Sequence, residues 1–415
     1  MHNKNSAMAF IVLLGIVSLF SDMTHEAATS IKGAYLLILG ASASTIGFIS
    51  GIGELLGYGL RYLFGRLVDK THNYWGFMIL GYAVDVFAVP ALALVHRDGW
   101  IAACVLLVVE RIGKAIKKPA KNTILSFAAS QEGVGKSFAI QEALDQLGAF
   151  IGPLLLYAVM LYKHGDEYEV YNAAFAFLTL PAVCTIAFLL FAKSRFPNPE
   201  SFEPEAKTEK KDSFVGKKSF YLYLAGISCF AFGFVDFPLV TMHLAKNKLF
   251  DDSILPLLYS GAMLVDAVAA LFFGWLFDKM RTKALVISTA ISAFFAFFAF
   301  GMTSPGMIML GIALWGVGMG AQESIMKAAV ATMTSKEHRA SSYGAFEFFF
   351  GLAWFLGSWL LGAVYDYSLN TFIIVSVAAQ LIAVPCYLLS ERSFADENGR
   401  GFASKVTLLY VFVYT

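Results

Sequence analysis

The sequence predicts an all-α integral membrane protein with twelve transmembrane helices, arranged as two six-helix bundles that are related by an internal repeat. Composition gives the first reason, because 58% of the 415 residues are hydrophobic and only 15% are charged. The second reason is that twelve stretches each hold the roughly 20 mainly apolar residues that a membrane-spanning helix needs. The net charge of +1 provides no overall field that would favour nucleic acid. Membrane lipid is therefore an expected partner. We also expect a small-molecule partner, protons and a monomeric state.

The twelve stretches follow one another with mostly short connections, which predicts antiparallel neighbours. The predicted spans are 7–38, 43–67, 75–95, 99–124, 136–162, 170–192, 219–245, 253–279, 283–303, 306–332, 339–366 and 370–390. The first of them lacks a small-residue cleavage site, so we expect a helix there rather than a signal peptide.

One connection, residues 193–218, is long, polar and rich in Pro, Lys and Glu, which is typical of a flexible linker. It divides the predicted domains into an N-terminal bundle over 1–192 and a C-terminal bundle over 219–392. A tail over 393–415 follows, and its apolar end is too short to span a membrane.

The distribution of Lys and Arg predicts the orientation. If the N-terminus lies inside, the outside loops hold only Arg97, Lys163, Lys246 and Lys248, whereas most of the other cations fall at inside ends and loops. The positive-inside rule then places both termini and the linker in the cytoplasm. We expect a multi-pass protein of the inner membrane of a bacterial cell.

The two halves of the chain repeat each other in sequence. A shift of 205 positions superposes residues 130–159 on 335–364 with eleven identities in 30, including Glu142 on Glu347 and Gly152 on Gly357. A shift of 209 positions superposes GRLVDK on GWLFDK, at the end of the second helix of each half. Two anchors in the same order indicate duplication, and a duplicated six-helix unit is the plan of transporters that rock two halves about a midplane site.

The hexapeptides of the second anchor resemble the loop motif of the major facilitator superfamily, and the resemblance extends over residues 1–392. The matching positions are Gly65, Asp69, Lys70, Gly274, Asp278 and Lys279. The resemblance implies the fold of that superfamily. It also implies that both aspartates pair across the inner ends of neighbouring helices and latch the outward-open state.

Helix 5 carries a second resemblance. The sequence LGAFIGP, with Gly148, Gly152 and Pro153, is similar to the antiporter motif of drug-type exporters, although Leu156 stands where that motif has glycine. The segments SDMTHE, ERIGKAIKKPAKNT and QEALDQLGAFIGP resemble a large bacterial subgroup of transporters and permeases whose substrates are mostly undefined.

Acidic residues within apolar helices are the candidates for proton coupling, because a charge at bilayer depth is costly and usually functional. On helix 1, Asp22 and Glu26 share a face at i and i+4. On helix 5, Asp145 falls near the face of the motif glycines, whereas Glu142 is rotated away. The alternatives are that the helix 1 acids touch water or a neighbouring helix, and that Glu142 and Glu347 mark the inner gate.

Basic residues on helix 4 are the candidates for substrate binding. Arg111 and Lys114 lie near the predicted midplane, where a guanidinium suits a carboxylate or phosphate; the alternative is pairing with Glu110, Glu142 or Asp145. Glu54 and Arg61 on helix 2 are further candidates, although an ion pair of Glu54 with Lys32 or Arg111 is the favoured interpretation. Lys118 and Lys121 are expected to snorkel toward lipid headgroups.

No enzyme signature is present in the sequence. A phosphate-binding Gly-Lys-Ser/Thr loop is missing, and the four cysteines lack the spacing of metal ligands. We therefore expect no enzyme activity, no cofactor and no metal.

Three functions remain open. The first hypothesis is a secondary transporter that works by alternating access as a proton-coupled exporter, that is, an antiporter. The second is a proton-coupled symporter that takes up a small organic anion. The third is a scaffold or receptor that does not transport, which the intramembrane acids disfavour.

Overall fold

A computed structural model describes residues 4–132, 134–202, 217–333 and 339–397, and within these ranges the regular secondary structure is entirely helical. The α-helices are α1 (Lys4–Ile38), α2 (Ala43–Thr71), α3 (Tyr74–Ala88), α4 (Trp100–Glu132), α5 (Val134–Tyr162), α6 (Glu167–Phe177), α7 (Thr179–Arg195), α8 (Lys218–Gly233), α9 (Phe237–Lys246), α10 (Leu255–Met280), α11 (Lys283–Ser292), α12 (Phe295–Gly301), α13 (Pro305–Met333), α14 (Arg339–Tyr367) and α15 (Leu369–Glu397). Short 3₁₀ helices occupy Pro90–Leu94, Pro199–Phe202 and Asp252–Ile254. The predicted all-α class is confirmed.

Each of the twelve predicted spans corresponds to one helix or to two consecutive helices. The spans over 170–192, 219–245 and 283–303 are divided, as α6 with α7, α8 with α9 and α11 with α12. The break before α9 has a local cause, because Pro238 cannot donate to the preceding turn and its ring would collide with the carbonyl four residues earlier. Asp236 lies at the N-cap of α9 in extended conformation, so a charged residue sits at an interruption of the span.

Ten helical stretches among the described residues are long and apolar enough to cross a membrane. The predicted spans that fall short of this measure are α2, which is rich in glycine, and α4, which carries six charges between Glu110 and Lys121. Charges inside a spanning helix usually face a cavity or a partner. The charged residues of α4 are therefore candidates for a functional site.

The described helices form two compact units. The first unit comprises the described residues within 1–208 together with 236–264 and 358–368, and the second comprises the rest. In the first unit α1 packs on α5, α7 and α9, and α4 packs on α2 and α3. In the second unit α15 packs on α8 and α11, and α13 packs on α11 and α12.

These units differ from the predicted division at 193–218, which stays a prediction. Residues 203–216 of the predicted linker and 398–415 of the predicted tail lie outside the described residues. α15 continues to Glu397, so the start of the predicted tail is helical.

Glycines set the contact between α1 and α5 in the first unit. A side chain at Gly152 would clash with the backbone carbonyl of Met23, and Gly148 meets α1 in the same way one turn earlier. In the second unit Gly357, the repeat counterpart of Gly152, meets the carbonyl of Phe232 on α8. Without a Cβ, the two backbones of each pair can approach closely.

Candidate functional site

A buried histidine on α1 lies between two carboxylates. The Nε2 atom of His25 is 2.8 Å from Oδ2 of Asp85 on α3, and its Nδ1 atom is 3.0 Å from Oε1 of Glu110 on α4. All three residues are at most 4% exposed. Both ring nitrogens of one imidazole are therefore within ion-pair distance of acids in the interior of the first unit.

Two lysines of α4 extend this arrangement at both ends. Lys117 contacts the same Oδ2 atom of Asp85 and also donates to Oγ of Ser21 at 2.8 Å. Lys114 lies 3.5 Å from the same Oε1 atom of Glu110. Together these contacts make a continuous chain of ionisable groups, which we call the His25 cluster. Its members, in order of contact, are Lys114, Glu110, His25, Asp85 and Lys117.

The positions of the cluster follow from helix geometry and from one small residue. Glu110, Lys114 and Lys117 are spaced i, i+4 and i+7, which places them on one face of α4. A Cβ at Gly113 on α4 would lie 2.5 Å from the backbone nitrogen of Asp85. Because this glycine brings α3 against α4, the short side chain of Asp85 reaches both His25 and Lys117.

A second polar region lies between α2 and α4. Nη1 of Arg111 is 2.6 Å from Oε1 of Glu54, and these side chains remain 20% and 23% exposed. Gly53 makes room for them, because a Cβ there would lie 2.9 Å from Cγ of Arg111. The structure thus pairs Arg111 with Glu54 and not with Glu110, Glu142 or Asp145.

Lys32 on α1 differs from the other buried cations. It is 6% exposed, and its ammonium donates to Oγ1 of Thr29 at 3.3 Å. Among the described residues no carboxylate lies within 4.0 Å of it, although Arg111, Lys114, Glu110 and Asp236 act on it electrostatically over a longer range. Lys32, Arg111 and Lys114 therefore form a group of neighbouring cations, which we call the cation group.

Two acids of the first unit receive hydrogen bonds from hydroxyl groups. Asp236 accepts from Oγ of Ser358 at 2.9 Å, and Glu26 accepts from the Tyr259 hydroxyl at 2.5 Å. Glu26 is half-buried, and through the Tyr259 hydroxyl its carboxylate bonds to the neighbouring helix α10. A bond to a neighbouring helix was one of the alternatives for helix 1.

Of the remaining proton-coupling candidates, Asp22 and Asp145 lie near Lys121, and Glu142 lies at the surface. Asp22 interacts electrostatically with Asp145 and Lys121, and Lys121 lies 3.7 Å from Oδ2 of Asp145 while it also contacts Ser18. The expectation that Lys121 snorkels toward lipid headgroups is therefore wrong. Glu142 is exposed, and its carboxylate accepts from Gln146 at 3.5 Å.

The gating candidates keep their repeat symmetry. Gly65 on α2 faces Pro119 on α4, and Gly274 on α10 faces Ser324 on α13, each at 3.9 Å from an added Cβ. Exposed side chains follow at Asp69, Lys70, Asp278 and Lys279. The Lys279 ammonium lies 3.8 Å above the ring of Trp275. Asp69 and Asp278 make no side-chain hydrogen bond or ion pair with the described residues, so the predicted latch stays a prediction.

The other candidates occupy ordinary packing positions. The Arg61 guanidinium lies 4.7 Å above the ring of Tyr58. Pro153 is buried in α5 beside Gly152, and Glu347 is half-buried on α14. Arg61 also acts electrostatically on Glu54, the partner of Arg111.

Sequence reasoning passed over most of the His25 cluster. From the sequence, His25, Asp85 and Lys117 receive no role, and Glu110 is considered only as an alternative partner of Arg111. A signal was available, because Asp85 is the single ionisable carboxylate of the apolar helix α3, and a lone acid in such a helix requires a polar partner.

Donor atoms of His25, Asp85 and Glu110 lie within 4.8 Å of one another, a spacing that a metal ion can bridge. However, lysine ammonium groups already contact the two carboxylate oxygens that face the imidazole. A divalent cation would have to displace or face these ammonium groups in a low dielectric, which is unfavourable. The donor set fits a proton better than a metal ion.

Comparison with known proteins places the chain in a family. The model of the Major Facilitator Superfamily matches residues 11–249 and 222–413, which is nearly the whole chain. The chain belongs to the major facilitator superfamily. As a member of that superfamily it is a multi-pass membrane transporter, and the predicted resemblance is confirmed.

Relatives and solved structures agree with this assignment. An uncharacterized protein of Mycobacterium bovis is 37% identical over 383 residues, which cover 91% of this chain and 92% of the relative. An uncharacterized MFS-type transporter of Methanocaldococcus jannaschii is 27% identical, over 89% of this chain and 92% of its own. A bacterial homologue of the human lysosomal transporter Spinster, in an inward-facing and occupied conformation, shares the fold with a TM-score of 0.76. That structure is 17% identical, and the match covers 95% of this chain and 99% of that one.

Proposed function

We propose that this superfamily member is a secondary active transporter that couples the movement of a small organic anion to protons by alternating access. The observation that carries the proposal is the cation group, in which the buried Lys32 lies close to Arg111 and Lys114 and no carboxylate of the described residues is within 4.0 Å of it. An ammonium at membrane depth is unfavourable by a few kcal/mol unless an anion or water meets it. An anionic cargo would supply that missing charge during part of the transport cycle.

The pairing of Arg111 with Glu54 is compatible with cargo binding. Both side chains remain partly exposed, so a carboxylate or phosphate of the cargo can compete with Glu54 for the guanidinium. Guanidinium groups bind such anions through two parallel hydrogen bonds. Glu54 would then act as a stand-in for the cargo between transport events.

Proteoliposomes with an imposed pH gradient test the proposal. Uptake should be screened with radiolabelled monocarboxylates, dicarboxylates, phosphate esters and, as a neutral comparison, a sugar. We expect gradient-dependent uptake of at least one anionic class, and its loss in Lys32→Met. Lys248→Met is the matched control, because it removes an equally charged but exposed lysine that pairs with Glu167. Normal uptake of the anion by a stable Lys32→Met protein would contradict the assignment.

Proton-coupled export is the second candidate, and one contact favours it. The helix 5 glycines that resemble the antiporter motif lie directly against α1, so α5 and α1 can shift as a pair. The direction of proton movement separates the candidates. When cargo is added outside the vesicles, a symporter acidifies the lumen, whereas an antiporter makes it alkaline.

The proton path of the proposal includes the helix 1 and helix 5 acids. Asp22, Glu26 and Asp145 are each to be replaced by the amide, with exposed Glu142→Gln as the matched control. Cargo-driven pH change should fall in any of the three variants whose carboxylate takes part in moving the coupled proton. Intact proton movement in all three variants would remove these residues from the path.

The loop aspartates are proposed to latch one end of the bundle, with both termini of the chain in the cytoplasm of the cell. Asp69→Asn should slow turnover and leave cargo binding intact. Cysteine labelling from each side of the membrane reads out both claims. Equal labelling of the Asp69→Asn variant and its parent would count against the latch.

A further inference from the structure

The His25 cluster contains an arrangement that the transport proposal does not use. Each carboxylate presents one oxygen to the imidazole ring and to a lysine ammonium at once: Oδ2 of Asp85 to His25 and Lys117, and Oε1 of Glu110 to His25 and Lys114. We propose that His25 is the proton-binding residue of this transporter. It is held as an imidazolium between Asp85 and Glu110, and it releases the proton when Lys114 takes over the shared oxygen of Glu110.

The imidazole ring of His25 can carry one proton or two. A neutral imidazole carries one N–H, so it can donate at one nitrogen and must accept at the other. Here both nitrogens of His25 lie within 3.0 Å of carboxylate oxygens. An ionised carboxylate can only accept, and two negative oxygens this close to the ring favour the form in which both ring nitrogens carry a proton.

The additional proton belongs on the imidazole ring and not on either carboxylate. A protonated Asp85 or Glu110 would also relieve the contact, but each of these acids faces a lysine ammonium that favours its ionised form. With the proton on His25, the charges along the cluster alternate from Lys114 to Lys117, so every neighbour is of opposite sign. This alternation is the arrangement of lowest Coulomb energy for five buried groups in line.

Release of the proton from His25 depends on the position of Lys114. Lys114 is 22% exposed at its side chain, whereas His25 is fully buried, so Lys114 is the member of the cluster that can move. When Lys114 approaches Glu110, the carboxylate is neutralised by the ammonium and binds the imidazolium less strongly. When an anion draws Lys114 away, Glu110 pairs with His25 alone and binds the imidazolium more strongly.

Proton and anionic cargo therefore bind together, which is the coupling that a symporter requires. This last step rests on the proposed function, but the protonation of His25 does not.

Other charged and titratable groups surround the cluster on the helices packed against α1. They are Asp22, Glu26 and Lys32 on α1 itself, Glu54 on α2, Tyr82 on α3, Arg111 and Lys121 on α4, Asp145 on α5, and Asp236 at the start of α9. Among the described residues, only Asp85 and Glu110 are in ion-pair contact with the His25 ring.

Nitrogen-15 NMR of histidine-labelled, full-length protein in detergent micelles tests the protonation directly. His25→Gln assigns the signal. His243 on α9 is an internal comparison, because it is equally buried but its Nδ1 meets the Tyr365 hydroxyl at 2.8 Å, which suits a neutral ring. At about pH 7.5, a full unit above the usual midpoint of histidine, both nitrogens of His25 should give imidazolium shifts while His243 stays neutral.

Variants then separate the roles of the neighbours. Glu110→Gln and Asp85→Asn should each lower the ratio of protonated to neutral His25 by about tenfold or more, because each removes an adjacent negative charge. Lys114→Met should raise the same ratio at alkaline pH. Neutral His25 in the unaltered protein at about pH 7.5 would overturn the proposal, and so would a ratio that Glu110→Gln leaves unchanged.

The experiment needs no cargo, so its result is independent of the transport assay. If His25 is an imidazolium and no organic anion is transported, the cargo assignment fails and the proton site stands. If an anion is transported and His25 is neutral, the transporter keeps its proposed cargo and must bind its proton elsewhere. The measurement on the unaltered protein decides this even if a variant does not fold.

Discussion

The interiors of the two units differ at positions that the internal repeat makes equivalent. The shift of 209 positions that relates Met23 to Phe232, each against a motif glycine, also relates His25 to Phe234. In the first unit His25 lies among acids and lysines. In the second unit Phe234 packs on four aromatic rings, with centroid separations between 5.2 and 5.7 Å. These rings belong to Phe230, Phe295, Trp315 and Trp354.

The correspondence extends to the partner on the neighbouring helix. The shift of 205 positions, which relates Pro119 to Ser324 beside the loop-motif glycines, relates Glu110 to Trp315. Where His25 faces Glu110 in the first unit, Phe234 stacks on Trp315 in the second. The indole of Trp315 is itself satisfied, because its Nε1 donates to the carbonyl of Val235 at 2.8 Å.

This difference indicates that the helix arrangement can form without the charges of the His25 cluster. The same helix positions can be filled by aromatic side chains, and replacing a buried ionic network with apolar residues is often neutral or stabilising. A chain that keeps five ionisable groups in the first interior accepts their cost of desolvation, which favours a functional over a structural reason for them.

The largest effect is expected from removing one charge of the first interior. Asp85→Asn leaves Lys117 buried without its acid, so the free energy of unfolding should fall by about 3–5 kcal/mol. Thermal unfolding in detergent measures it, and Lys117→Met in the same chain should restore most of the loss. A single variant as stable as its parent would show that the first interior tolerates unpaired charge, and the comparison would lose its physical basis.

The next effect concerns the cation group, which has no aromatic counterpart in this comparison. If Arg111 binds cargo, Arg111→Gln should give a stable protein with about 10–100-fold weaker anion binding, equivalent to about 1.5–3 kcal/mol. If Arg111 only neutralises Glu54, the variant should express poorly and Glu54→Gln should rescue it. Binding assays and folded yield distinguish these outcomes, and unchanged transport by a stable variant would end the substrate role.

A shared feature of the two units should respond equally in both. Gly152→Ala and Gly357→Ala each push a methyl group against a backbone carbonyl, and overpacking of this kind costs about 1–3 kcal/mol. Gly344→Ala is the control, because nothing lies within 4 Å of an added Cβ there. A marked effect in only one unit would show that the repeat does not place these helices equivalently.

The smallest effect is expected outside the membrane-spanning segments. Asp166 caps α6 by accepting from the Glu169 N–H at 2.9 Å, and Arg97 contacts the same carboxylate. These contacts, the backbone hydrogen bond first, hold the pKa of Asp166 below its usual value. A lowered pKa stabilises the folded state above the unfolded pKa, and the contribution is lost as the pH falls through the folded value.

Asp166→Asn should therefore lower the unfolding temperature slightly at neutral pH, and the difference should vanish in acid. Asp98→Asn is the control, because Asp98 is an exposed acid beside Arg97 in the connection that precedes α4. A difference that persists unchanged at low pH would show that the charge of Asp166 is not the cause. Any large effect would mean that the loops, and not the two interiors, dominate stability.

Several features of the chain were predictable because they depend on local sequence. The twelve spans followed from apolar length, and the motif glycines followed from the repeat, since only glycine permits the close approach of α1 to α5 or of α8 to α14. The pairing of Arg111 with Glu54 was among the predicted alternatives because both residues lie in apolar helices and need a partner. The breaks within three spans were not predicted, although Pro238 was a local signal for one of them.

The sequence by itself determined that this is a helical membrane protein with a duplicated plan, because hydrophobic length and repeated glycines act within one helix or between neighbours in the chain. Only the tertiary structure decided which charges meet. Asp85 and Glu110 are separated from His25 by more than one helix of sequence, and no periodicity links them. They come together because α1, α3 and α4 converge in space and place the two carboxylates on either side of the histidine ring.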